Sequence, residues 1–143
     1  MFKKILVPLD GSKTAEKVLP IVVDEARLHG AGVVLVRSIA PLRQSLMTSP
    51  SMFEQVLAQV ENIAREYLAG IAANLEAEGL TVIQWIERGP PAKVILDVAK
   101  TEGCDLIIIG THGETGAFGW RFGSIANKVV KARTQIPVMI APS

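Results

Sequence analysis

Short apolar runs, each too brief for a helix, alternate along this chain with longer stretches whose apolar residues recur every three or four positions. No other feature constrains the fold as strongly. Residues 5–7, 33–36, 81–86, 105–109 and 136–140 read as strands, and Leu106-Ile107-Ile108-Ile109 is apolar without interruption. Residues 13–29, 53–77, 92–101 and 124–132 read as helices. Five strands interleaved with four helices make βαβ units, hence an α/β fold with a parallel sheet and right-handed crossovers.

The punctuation agrees with this reading. Ser12 can cap the first helix and Gly30 stop it, with Pro20 bending it midway. Its expected apolar stripe is Val18, Leu19, Val22, Val23, Ala26 and Leu28. Residues 40–51 read as a loop, and Ser51 or a neighbour caps the long second helix. That helix carries Val56, Val60, Ile63, Tyr67, Leu68, Ile71 and Leu75 at helical spacing, a core stripe, and Gly79 ends it. Gly89-Pro90-Pro91 opens the third helix, where proline is tolerated.

With 143 residues, no internal repeat and no linker, the chain is expected to form one domain over residues 1–143. Fifteen basic and 14 acidic residues leave a net charge of +1, so the overall field gives no reason to expect nucleic-acid or membrane binding. Cys104 is the single cysteine, which excludes an internal disulfide and fits a reducing, cytoplasmic setting. The apolar run after Lys3-Lys4 stops at Asp10, too soon for a signal sequence of roughly 7–15 apolar residues. No stretch approaches the roughly 18 apolar residues of a membrane span.

In parallel sheets ligands bind beyond the carboxyl ends of the strands, where the strand order reverses. That rule points to Pro8–Asp10, to Arg37–Ser38 and to the loop after Ile109. The last of these is the most informative: Gly110-Thr111-His112-Gly113-Glu114-Thr115-Gly116-Ala117-Phe118-Gly119-Trp120-Arg121-Phe122-Gly123-Ser124. A buried strand empties into glycines, which let backbone N–H groups approach a ligand, and the loop ends at a helix N-terminus with unpaired donors. Arg121, Lys128, Lys131 and Arg133 add positive charge, and no acidic residue follows Glu114 until the chain ends. The sum is an anion site suited to phosphates, and Ser124 can serve either the helix cap or a phosphate. The loop is neither a Walker A sequence, which needs Gly-Lys-Ser/Thr, nor a dinucleotide fingerprint.

Gly110-x-x-Gly113, nine residues, then Gly123-Ser124 resembles the signature of the universal stress protein family, in the spacing of its ATP-binding branch. The opening Ile5-Leu6-Val7-Pro8-Leu9-Asp10-Gly11-Ser12, the Gly89-x-Pro91-Ala92 turn and the closing Ile136-Pro137-Val138-Met139-Ile140 are similar to that family as well, so the resemblance covers essentially the whole chain. It implies a three-layer sandwich around a five-stranded parallel sheet of order 3-2-1-4-5. It also implies ATP binding, often with a divalent ion such as Mg²⁺ or Mn²⁺, a role in survival under stress, and a homodimer paired through the last strand. Carried over by position, Pro8, Leu9 and Asp10 line the adenine and ribose, and Ser38 flanks the adenine. Gly110 lies at the ribose, and Gly113, Gly123, Ser124 and Ile125 hold phosphates. Thr111 and His112 belong to the same loop, where His112 can donate to a phosphate. Family members often carry Ser or Thr where this chain has Ala126, which removes one phosphate contact.

Asp10 can accept from ribose hydroxyls or help hold a metal ion; as a turn residue it can also simply start the helix. Trp120 and Phe122 can stack on a base or pack inward. Cys104 precedes a buried strand and reads as a packing residue, and His29 reads as a helix C-terminal cation. No catalytic residue is expected. A nucleotide-binding module with little or no hydrolysis is the leading reading. The alternatives are an ATP-hydrolysing or nucleotidyl-transferring enzyme on the same architecture and a dimerising scaffold with an empty pocket. The enzyme would need a motif such as S-G-G-x-D-S or H-x-G-H, and neither is present. An empty scaffold would have no use for the complete glycine pattern.

Overall fold

The computed structural model describes residues 1–40, 49–111, 123–132 and 134–142. Five parallel strands are β1 (Lys4–Pro8), β2 (Gly32–Ile39), β3 (Val82–Arg88), β4 (Leu106–Gly110) and β5 (Val138–Ala141). They lie in the order β3-β2-β1-β4-β5, as expected. The chain winds outward from β1 through β2 to β3, then returns to the other side of β1 as β4. The strand order therefore reverses between β1 and β4.

The helices are α1 (Lys13–Glu16), α2 (Leu19–His29), α3 (Pro50–Ala77), α4 (Pro91–Thr101) and α5 (Ser124–Lys131). Alternation along the strands divides the core in two. Ile5, Val7, Val33, Leu35, Leu106 and Ile108 face α1, α2 and α3, packing on Val18, Val22, Leu68, Ile71 and Leu75. Leu6, Val34, Val36, Ile107 and Ile109 face α4 and α5, packing on Val94, Ile95, Val98, Ala126 and Val129. Each such side chain fully removed from water contributes about 1.5–3 kcal/mol. The two clusters lock both helical layers to one sheet.

The elements depart from expectation in four places. The single bent helix over residues 13–29 is two helices. Ser12 caps α1, its hydroxyl accepting from Ala15 N at 3.0 Å. The chain then breaks at Lys17–Val18, and Pro20 lies in the first turn of α2, where its missing N–H costs nothing. Gly30 closes α2 at φ +65°, the left-handed geometry that favours glycine. The long helix starts earlier than residue 53, at Pro50, with Ser49 as its cap accepting from Met52 N at 3.2 Å. Two stripe residues are solvent-facing: Ile63 is 66% exposed, its place inside taken by Ala64, and Leu28 is 72% exposed. The last strand runs from Val138 to Ala141 rather than over residues 136–140.

Candidate nucleotide site at the carboxyl edge of the sheet

β1 ends at Pro8, and Leu9 continues it by one bond, its N–H donating to Val36 O at 3.0 Å. Leu9 is 3% exposed and packs with the α1–α3 cluster, so only its backbone can face a ligand. The chain then turns at Asp10-Gly11-Ser12. Asp10 Oδ1 accepts from Ser12 N at 2.9 Å and from Ser12 Oγ at 2.6 Å, a local ring that sets the turn and starts α1. Asp10 therefore builds the turn, and the turn stands at the carboxyl end of β1. Gly11 has φ +88°, a conformation that excludes most side chains.

Ser38 lies near the end of β2, in register with Glu87 of β3, and by alternation it shares the α4–α5 face with Val36. Gly110 is the last residue of β4, in register with Ala141, and Thr111 N donates to Ala141 O at 3.0 Å. Gly123 returns the chain to this point, its N–H meeting the carbonyl of Thr111. Gly123 is the N-cap of α5 and no side chain caps that helix. Ser124 is the first helical residue and exposed, so the cap function falls to the Gly123 backbone. Ile125 packs against the α4–α5 cluster, and Ala126, 2% exposed, belongs to the core.

Pro8–Asp10, Ser38, Gly110–Thr111 and Gly123–Ile125 thus converge on one edge of the sheet, across the reversal between β1 and β4. His112 and Gly113, with the rest of the glycine loop and Trp120 and Phe122, lie outside the described residues. The first turn of α5 has no acidic residue, and its last turn carries Lys128 and Lys131. Its N-terminal N–H groups can therefore hold an anion, with no carboxylate in that helix's own first turn to compete. Among the described residues no group of three or more His, Cys, Asp or Glu could hold a metal ion.

Sequence reasoning marks Arg37 as a place but gives it no role. In the structure its guanidinium carbon lies 5.5 Å from the centroid of the Tyr67 ring. The Tyr67 hydroxyl donates to Glu16 Oε2 at 3.0 Å. Burial first, then Glu16 and Asp10, push the Tyr67 phenol well above its ordinary value, while Arg37 pulls it back. The signal that could have found this group is one charged residue on the β2 face that otherwise presents Val33 and Leu35. Away from the site, Cys104 is buried, and desolvation raises its thiol to about 11, as a packing residue requires. His29 pairs with Glu25 at 3.3 Å and meets Phe2 edge-on.

A five-stranded parallel sheet with this reversal and helices on both faces defines a doubly wound α/β protein. The profile of the universal stress protein family matches residues 1–142, and the chain belongs to that family. A universal stress protein of Thermus aquaticus is 34% identical over 145 residues, covering 98% of each chain. The solved structure of MJ0577, a universal stress protein of Methanocaldococcus jannaschii, superposes with a TM-score of 0.88 at 30% identity, covering 100% of this chain and 97% of that one. A universal stress protein of Archaeoglobus fulgidus solved in complex with dAMP gives a TM-score of 0.67 at 26% identity, with 96% of each chain covered.

Proposed function

We propose that this protein is an ATP-binding module of the universal stress protein family, which senses or carries the nucleotide under stress and turns it over slowly or not at all. The observation that carries the reading is the gathering of the Asp10–Ser12 turn, Ser38, Gly110 and the N-terminus of α5 at the reversal between β1 and β4. The dAMP complex of the Archaeoglobus fulgidus relative supports an adenine nucleotide as the ligand class. Adenine and ribose would lie against Pro8, the Leu9 backbone, Asp10 and Ser38, with phosphates against Gly113, Gly123, Ser124 and Ile125. Thr111 and His112 would border them. With Oδ1 already engaged by Ser12, Asp10 is a single carboxylate. Mg²⁺ or Mn²⁺ would be held mainly by the phosphates, in keeping with how such ions bind. The sequence carries neither an S-G-G-x-D-S nor an H-x-G-H motif, which supports slow chemistry.

A homodimer in the cytoplasm belongs to the same reading. β5 is an edge strand with only β4 beside it. Ile107 N donates to Pro137 O and Thr111 N to Ala141 O, so the odd-numbered residues of β5 bond inward. The N–H and C=O groups of Val138 and Ile140 point outward. A two-fold axis at Met139 would set Val138 of one copy opposite Ile140 of the second and satisfy all four groups of each. Extraction of the purified protein tests the ligand. Co-purified adenine nucleotide near one per chain is the expected result, and a nucleotide-free protein that also fails to bind added ATP would contradict it.

A further inference from the structure

Arg37 stands behind the candidate nucleotide turn rather than inside it. Along β2, Val33 and Leu35 face α1–α3 while Val34 and Val36 face α4 and α5. Alternation continues this pattern, placing Ser38 on the α4–α5 face and Arg37 on the opposite one. There the guanidinium lies over the Tyr67 ring of α3, its carbon 5.5 Å from the centroid. The same group fills the space behind Gly11. A Cβ built on Gly11 would overlap Arg37 Nη1 and come within 3.2 Å of Cζ.

The arginine is held at a cost. Its Nε is buried and has no hydrogen-bond partner, and an orphaned buried donor is unfavourable. Methionine or leucine would cover Tyr67 without that orphan. What an apolar residue could not supply is a planar cation beside both Gly11 and the Tyr67 ring, whose hydroxyl donates to Glu16. Gly11 is held to glycine by its positive φ, and the guanidinium fills the space beside it.

We propose that Arg37 is a positioning residue for the nucleotide turn: held over the Tyr67 ring, its guanidinium braces the back of Gly11 and holds the Asp10–Ser12 turn in shape, linking α3 to the site. The nucleotide part of this inference rests on the function proposed above; the brace itself does not. The two are separated by measuring the full chain without ligand and then with ATP, comparing wild type, Arg37→Met and Arg37→Lys. Methionine keeps the apolar stem and removes the cation, and lysine keeps the cation without the flat fork.

In the ligand-free protein the amides of Ser12 and Ala15, which donate to Asp10 and Ser12, report on the turn. Arg37→Met is expected to lower their protection from hydrogen exchange by about tenfold or more while Ile107 and Ile108 in β4 stay within about twofold, with Arg37→Lys falling between. Unchanged protection at Ser12 and Ala15 would overturn the proposal whether or not ATP binds, and so would an equal loss at β4, which marks general destabilisation. If Arg37→Met fails to fold, Arg37→Lys decides alone, and wild-type protection in it would overturn the role of the fork. With ATP, Arg37→Met is expected to weaken affinity by about tenfold. A wild type that binds no ATP, together with a selective loss at Ser12 and Ala15, would refute the proposed function and leave the brace standing.

Discussion

Asp105 shows how one residue ties the sheet together. Its carboxylate accepts from Lys3 N at 3.1 and 2.9 Å and from Lys4 N at 3.0 Å, fastening the start of β1 beside β4. Burial pushes this carboxyl up, but the backbone N–H groups of Lys4 and Lys3 outweigh it and hold it below its ordinary value. A folded value below the unfolded one, about 3.9, gives stability that is complete above that pH and is lost as pH falls through the folded value. Asp105→Asn should therefore cost about 1–2 kcal/mol at pH 7. Thermal melts should show the gap closing in acid, and an equal gap at neutral pH and in strong acid would contradict the assignment. Cys104 offers a second check. With its thiol raised to about 11 and buried among Val98, Ala99 and Ile107, it should resist alkylation at pH 8 in the native state and react once unfolded. Rapid native labelling would contradict the packing role.

Among the elements, the last strand carries the sharpest expectation. Ile140→Pro removes an outward N–H from β5 and leaves the inward bonds to β4 intact. Sedimentation should find wild type dimeric at micromolar concentration and the variant monomeric; a monomeric wild type, or a dimeric variant of unaltered fold, would remove β5 as the interface. The strands were legible in the sequence because a strand buried on both faces has no polar positions, as β1 and β4 show. The helices were less so. Val18, Val22 and Ala26 mark the inner face of residues 13–29, but nothing in their spacing says that the chain breaks at Lys17 rather than bending at Pro20. On α3, Ile63 and Ala64 are neighbours at the edge of the stripe, and the cluster that holds Ile39 and Leu57 takes in the smaller one. The site's backbone positions were legible through glycine spacing and strand ends. Arg37 acquires its role only when β2, α1 and α3 are brought together, and no local pattern encodes that.

At the scale of the molecule, a net charge of +1 leaves little long-range field, so ligand choice falls to local donors at the sheet edge. The lack of an S-G-G-x-D-S or H-x-G-H motif predicts ATP turnover well below about 1 s⁻¹, the low end of ordinary enzymes. Phosphate release at or above that rate would put a catalytic group in the site. In the proposed function ATP binds across the reversal between β1 and β4 with its phosphates against Gly123. Calorimetric titration of ATP into wild type and Gly123→Val tests it most directly, because a β-branched side chain at the N-cap of α5 occupies the space a phosphate needs. Stoichiometric binding by wild type, with affinity reduced about a hundredfold or more in a folded Gly123→Val, is the predicted result. Equal affinity in the two proteins, or no binding by wild type, would contradict it.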